Sequence, residues 1–162
     1  MTQTAIPLAE FDHEMASTRR LLERVPSEKG EWKPHPKSFA LGHLAQLISW
    51  MPGWIAQTLR QPHIDLATAA QYSFEATETL LREFDGALSE ARSALEAVTG
   101  PALQDPWSLK LGDQALFTGP RGEAVRGHLN HLIHHRGQLT VYLRLLDVPV
   151  PQVYGPTADE PL

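Results

Sequence analysis

Apolar residues recur at intervals of three and four in four blocks of the chain, with polar residues between them. Leu8, Phe11, Met15, Leu22 and Val25 share one helix face that runs to Pro26. Leu41, Leu44, Ile48, Met51 and Ile55 form a second stripe, widened by Trp50 and Trp54. Leu81, Phe84, Leu88, Ala91, Leu95 and Val98 form a third, stopped by Gly100 and Pro101. The fourth runs from Arg121 to Leu146 behind a Gly119-Pro120 start signal, through Val125, Leu129, Leu132, Leu139, Leu143 and Leu146. Four amphipathic helices with no long strand pattern predict an all-α fold, a four-helix bundle around one core.

The connections are uneven. The segment PSEKGEWKPHPKSFALG between the first two helices is too long for a simple turn. Before the last helix, DPWSLKLGDQALFTG holds two short β-prone runs about Gly112-Asp113, which predicts a small hairpin-like insert. The tail DVPVPQVYGPTADEPL is too proline-rich for helix. Loops carrying Trp32, Trp107 and Tyr154 are expected to fold over one end of the helices and cover a pocket. The 162 residues suit a single domain over 1–162.

Composition narrows the chemistry. A hydrophobic share of 42% with a net charge of -5 is that of a soluble protein without a basic footprint, so direct nucleic-acid binding is disfavoured. No apolar run reaches the length of a membrane helix and MTQTAIPLAEFDHEM lacks signal-peptide character, so neither a membrane partner nor export is expected and the expected location is cytoplasmic. Cysteine is absent, which leaves nitrogen and oxygen as the only metal ligands and requires any reacting thiol to arrive from outside the chain.

The densest chemical signal is HLNHLIHHRGQL, with four histidines between His128 and His135. At about 100° per residue, His131 and His135 lie one turn apart at the edge of the leucine stripe, Gln138 and Tyr142 continue that edge, and His134 points away. Imidazoles at i and i+4 converge on one ion in zinc-protease helices. A catalytic metal commonly takes a third protein ligand, which must come from elsewhere: His43 on the flank of the second helix is the leading candidate and His128 the local alternative. His13, His35 and His63 are weaker candidates. Spacing alone leaves open that these histidines are simply solvated. Arg136 falls in the leucine stripe and needs a carboxylate or a substrate anion to offset its burial. Trp50 and Trp54 read as core or dimer surface ahead of a cofactor site, and Trp32 as packing for its long loop ahead of a pocket wall.

With these residues in view, the chain resembles the DinB/YfiT-like family of DNA-damage-inducible proteins. The resemblance rests on WKPHPKSFALGHLAQL (32–47), PGW (52–54), the β-prone insert and chiefly HLNHLIHHRGQL (128–139). It implies an up-down-down-up bundle that holds a divalent metal, usually zinc or nickel, through three histidines, one from the second helix and two from the last. On this chain the two fall on His131 and His135, and the first falls on His43. Many relatives carry that first histidine one turn later, where this chain has Leu47. Similar proteins include thiol S-transferases that use a low-molecular-weight thiol.

Two functions follow as expectations. One is a metal-dependent enzyme, a thiol transferase or hydrolase acting on a small molecule, with His128, Gln138, Tyr142, Arg136 and Trp50 around the metal ligands. The other is a noncatalytic stress-related protein whose metal is structural or absent. A homodimer is expected from the family and from the two tryptophans of the second helix.

Overall fold

Burial follows the four apolar stripes. In the computed structural model, which describes residues 6–161, the helices are α1 (Leu8–Leu22), α2 (Leu41–Arg60), α3 (Thr77–Ala97) and α4 (Arg121–Leu145). Phe11, Met15, Leu44, Ile48, Met51, Phe84, Leu129, Leu132, Leu139 and Leu143 are buried in one shared core. Two details differ from the pattern. The first helix stops at Leu22, and tight turns from Arg24 and Val25 to the carbonyls of Leu21 and Leu22 keep Val25 in the core. On α3 it is Leu80 that is fully buried, while Leu81 and Leu88 are half-buried at the flank.

Helices α1 and α2 each pack against both α3 and α4. Side-chain pairs fix the directions. Arg19 meets Asp85 and Arg92 meets Asp12, so α1 and α3 run antiparallel. Trp50 meets Glu83 and Arg60 meets Glu90, so α2 and α3 run parallel. Phe39, just ahead of α2, meets Tyr142 while Thr58 meets His128, so α2 and α4 are antiparallel.

The long connection into α2 does a defined job. No side chain caps that helix, and the free N–H groups of Leu41 and Gly42 donate to the carbonyls of Trp32 and Gly30 at 2.9 Å each. The ring of Phe74 lies against Gly42, whose absent side chain makes room for it: a Cβ there would stand 2.5 Å from the ring. At the other end of α2, the Arg121 guanidinium donates to the carbonyls of Thr58, Leu59 and Gln61 at 3.0, 3.0 and 3.2 Å. A cation is favoured at that negative helix end.

The fold is mostly helical but not wholly so. The expected hairpin is present as β2 (Pro106–Leu111) and β3 (Gln114–Pro120), turning at Gly112, whose φ of 58° lies in the left-handed region. A third strand, β1 (His63–Asp65), pairs parallel with β2 and makes a three-stranded sheet in the order β1-β2-β3. Three residues with one central isoleucine are too short to show a periodicity, so the sequence pattern did not reveal it. The aromatic loop residues do not gather at one end. Trp32 packs edge-on against Tyr142 near the end of α4, and Trp107 lies edge-on against His128 nearer its start. No helix among the described residues is long and apolar enough to cross a membrane.

One polar cluster sits inside the core. The Arg136 guanidinium is 2% exposed and pairs with the Glu14 carboxylate at 2.6 Å. It also donates to the Glu14 carbonyl at 3.0 Å, to Thr18 Oγ1 at 3.2 Å and to the Tyr154 hydroxyl at 2.7 Å, and that hydroxyl donates in turn to Glu14. These partners meet the requirement set by burial, and they turn Arg136 toward α1 rather than toward a substrate. Removal of one partner from a buried pair costs about 3–5 kcal/mol, because the other charge is left uncompensated. In urea unfolding, Arg136→Met is therefore expected to lose stability of that order and Tyr154→Phe about 1 kcal/mol. The double variant Glu14→Leu/Arg136→Met should recover most of the loss. An Arg136→Met protein as stable as the parent contradicts this role.

Candidate functional site

Histidine spacing on α4 has the consequence expected of it. His131 and His135 stand one turn apart with their Nε2 atoms 2.8 Å from each other. His135 is buried against the core edge, whereas His131 is open on one side. One turn further on, Gln138 Oε1 lies 2.7 Å from His135 Nδ1. A carboxamide oxygen only accepts, so the proton of neutral His135 sits on Nδ1 and its Nε2 lone pair faces His131. Outer-sphere hydrogen bonds of this kind orient metal-bound histidines.

The donor chemistry of the pair fits a divalent ion. Two nitrogens at about 2.0–2.1 Å from zinc in tetrahedral geometry lie roughly 3.3 Å apart, so the rings need open by only about half an ångström. Burial, followed by the nearby His135 and His134, lowers the pKa of His131 and favours the neutral imidazole that a metal requires.

His43 is near this pair but not in a cluster with it. Its ring is sandwiched between Phe39 at 4.5 Å and Tyr72 at 3.9 Å, and Tyr72 stacks in turn on Trp50 at 4.8 Å. Phe39 also touches His135, at 6.1 Å between ring centres, so the same phenyl group contacts both imidazoles. Among the described residues no group of three or more histidine, aspartate or glutamate side chains is assembled for a metal. Burial, then Lys33 and His135, lowers the pKa of His43 as well. Leu47, one turn on, is buried in the core.

The remaining predicted residues are distributed along the α2–α4 seam. His128 Nε2 lies 3.0 Å from Thr58 Oγ1, with the rings of Trp54 and Trp107 edge-on to it at 5.9 and 5.8 Å. The Tyr142 hydroxyl donates to the Phe39 carbonyl at 3.2 Å, so it holds the segment that carries the Phe39 ring. Trp50 donates its indole N–H to Glu83 at 3.1 Å. Trp54 lies against His128 and His131. His134 is exposed, as are His13, His35 and His63.

A cavity of about 400 Å³ opens between the sheet and the first half of α4, with His128 and His131 in its wall beside Trp54, Ile64, Leu66, Trp107, Leu109 and Phe117. The histidine pattern did not reveal this lining. A fainter signal was available: Trp107 and Leu109 alternate with polar residues along β2, and Leu109 pairs with Phe117 across the hairpin. A smaller space of about 270 Å³ lies on the other flank, lined by Lys33, Phe39, His43 and Tyr72 among others.

Comparison with known proteins gives a consistent result. The DinB family model matches residues 1–161. The chain is 26% identical over 159 residues to the uncharacterized protein YrdA of Bacillus subtilis strain 168, a match that covers 94% of this chain and 89% of that protein. Among solved structures it is similar in fold to a DinB-like protein from Bacillus cereus ATCC 10987, with a TM-score of 0.70 and 22% identity over 95% of this chain and 100% of that one. A DinB-like protein of Bacillus subtilis, YjoA, gives a TM-score of 0.71 at 19% identity over 90% and 96% of the two chains.

Burial of His128 makes a prediction about acid stability. The burial, reinforced by His131, lowers its pKa from 6.5 to about 4. Between those values the unfolded chain binds a proton that the folded chain does not. The stability associated with neutral His128 is therefore complete above about pH 6.5 and is lost as the pH falls toward 4, by up to about 3 kcal/mol. His43 and His131 act with the same sign. Urea unfolding of His128→Gln is expected to show a shallower loss over that range than the parent, with a residual slope from the other two. An identical slope would refute the assignment.

Proposed function

The chain belongs to the DinB family, and from that premise we propose that it is a metal-dependent enzyme centred on His131 and His135. The observation that carries this reading is the facing pair of Nε2 atoms at 2.8 Å, with one ring held in the ligating tautomer by Gln138. In this reading the chain is a single domain, an up-down-down-up four-helix bundle carrying the small sheet. His43 is the third ligand, reached when its ring leaves the stack between Phe39 and Tyr72. A divalent ion such as zinc or nickel in that position supplies a Lewis acid that keeps a bound thiol or water deprotonated near neutral pH.

The chain's own residues have separate tasks. His131 presents a neutral imidazole because burial disfavours its charged form, and the hydrogen bond to Gln138 fixes the tautomer of His135. Gln138 orients His135. Tyr142 positions Phe39, and through it the approach of His43 to the pair. The reaction is transfer or hydrolysis on a small molecule, and where a thiol reacts it comes from a low-molecular-weight cofactor, since the chain has no cysteine.

One observation favours a second reading. The stacking of His43 between Phe39 and Tyr72 is a stable arrangement without any ion. On that reading the protein is a noncatalytic, stress-related dimer whose metal is structural or absent.

Metal content of untagged protein, by mass spectrometry after incubation with zinc or nickel, separates the two. The enzyme reading expects about one ion per chain, lost in His131→Ala, His135→Ala and His43→Ala. Gln138→Ala is expected to weaken affinity by roughly 10–100-fold without abolishing it. Wild-type protein that stays empty overturns the enzyme reading, and retention in His43→Ala overturns the third ligand alone.

A further inference from the structure

The cavity between the sheet and α4 is organised along one row of that helix. Glu123, Gly127 and His131 all line it, and their spacing of four residues sets them on one edge of α4, about 12 Å from first to last along the axis. The middle of the row carries no side chain. Glycine weakens a helix interior relative to alanine, and a Cβ at Gly127 would meet nothing within 4 Å, so the room it leaves belongs to the cavity. Gly86 and Gly137 are equally open, but neither lines this space. At the start of the row stands the Glu123 carboxylate, which makes no hydrogen bond or ion pair among the described residues. The helix dipole favours a carboxylate in the first turn of α4, but that does not account for its place on the cavity row. The neighbouring cations are engaged elsewhere: Arg121 donates to the carbonyls at the end of α2, and Arg126 pairs with Glu10. No lysine or arginine among the described residues lines the space, and Trp54, half-buried, and Phe117, 39% exposed, give it ring surface.

We propose that this cavity binds an elongated organic ammonium ion with an apolar body, its charge at Glu123 and its far end at His131. The body lies over Gly127, between α4 and the rings of Trp54 and Phe117. Aromatic faces attract a cation as well as apolar groups, whereas they and the carboxylate disfavour an anion. The net charge of -5 acts in the same direction. The volume of about 400 Å³ falls within the range of small-molecule sites. An ammonium at Glu123 stands roughly 12 Å from His131, beyond the screening length of about 8 Å at physiological salt, so a divalent ion at the histidine pair repels it only weakly. That the bound amine is the substrate rests on the metal-site reading above, because its far end meets His131; that it binds does not.

The test is calorimetric titration of untagged protein at low salt with 4-phenylbutylamine, 4-phenylbutanol and 4-phenylbutyrate, which share one apolar body and differ in the charge at its end. With and without added zinc, the amine is expected to bind saturably and most tightly, the alcohol about threefold more weakly, as befits a partly exposed ion pair, and the carboxylate most weakly. Glu123→Gln should bring the amine down to the alcohol and leave the alcohol unchanged. Gly127→Leu should abolish binding of both while the melting temperature stays level or rises, because leucine is the better helix former. Absence of saturable amine binding to wild-type protein overturns the proposal, as does an alcohol or carboxylate that binds as tightly as the amine. An amine preference that survives in Glu123→Gln overturns the assigned carboxylate, and unchanged binding by folded Gly127→Leu overturns the location. Amine binding by a protein that stays empty after incubation with zinc supports this site and overturns only the metal reading.

Discussion

The buried ion pair of Arg136 and Glu14 sets the rotation of α4, and the site depends on that rotation. Arg136 follows His135 directly, about 100° around the helix, so the residue that locks onto α1 also determines that His135 and His131 face the seam with α2. A sliding of α4 by a single residue would carry the guanidinium out of reach of Glu14, Thr18 and Tyr154 and leave a charge in the core. The penalty for that error is several kcal/mol, a large fraction of the net stability of a small domain. A leucine stripe alone is a weaker guide, since leucines tolerate small rotations with repacking. Polar specificity in the core and ligand placement at its edge are thus two results of one arrangement.

Along the seam the two flanks of the histidine pair differ in character. Toward the start of α2 a continuous stack of Phe39, His43, Tyr72 and Trp50 holds an imidazole between aromatic faces. Toward its end the sheet brings Trp107 over His128, while Trp54 joins His128 to His131. Each centroid separation falls in or close to the range of favourable aromatic pairs, each worth about 0.5–1.5 kcal/mol beyond burial. The rings that surround the pair are therefore ordered by one another, and a half-buried histidine is held without a formal hydrogen bond to every nitrogen.

The helices and the His131–His135 pair were legible in the sequence because both rest on a period of 3.6. Once α4 is a helix, residues 131 and 135 are neighbours whatever else folds around them. Arg136 was legible as a conflict between charge and register, although its partners were not, since Glu14 lies 122 residues away in sequence and Tyr154 sits in the irregular proline-rich tail. The position of His43 depended on Phe39 and on Tyr72, which sits in an irregular segment with no periodicity to read. β1 escaped for a related reason: its pairing with β2 is a long-range contact between a three-residue segment and a hairpin. Trp107 stood out as a large aromatic in a loop, but which end of the helices it covered was set by that same sheet.

The parallel pairing of β1 with β2 bears on the order in which the molecule assembles. The two strands flank α3 in the chain, so their pairing closes a loop that contains that entire helix. Three backbone pairs offer little enthalpy against the entropy of such a closure until α3 has docked on α2 and shortened the distance. The helical core is therefore the template and the sheet the late addition. The sheet side of the cavity wall, formed by Ile64, Trp107, Leu109 and Phe117, therefore rests on contacts that the helical core must first bring within reach, whereas the α4 side is part of that core's own framework.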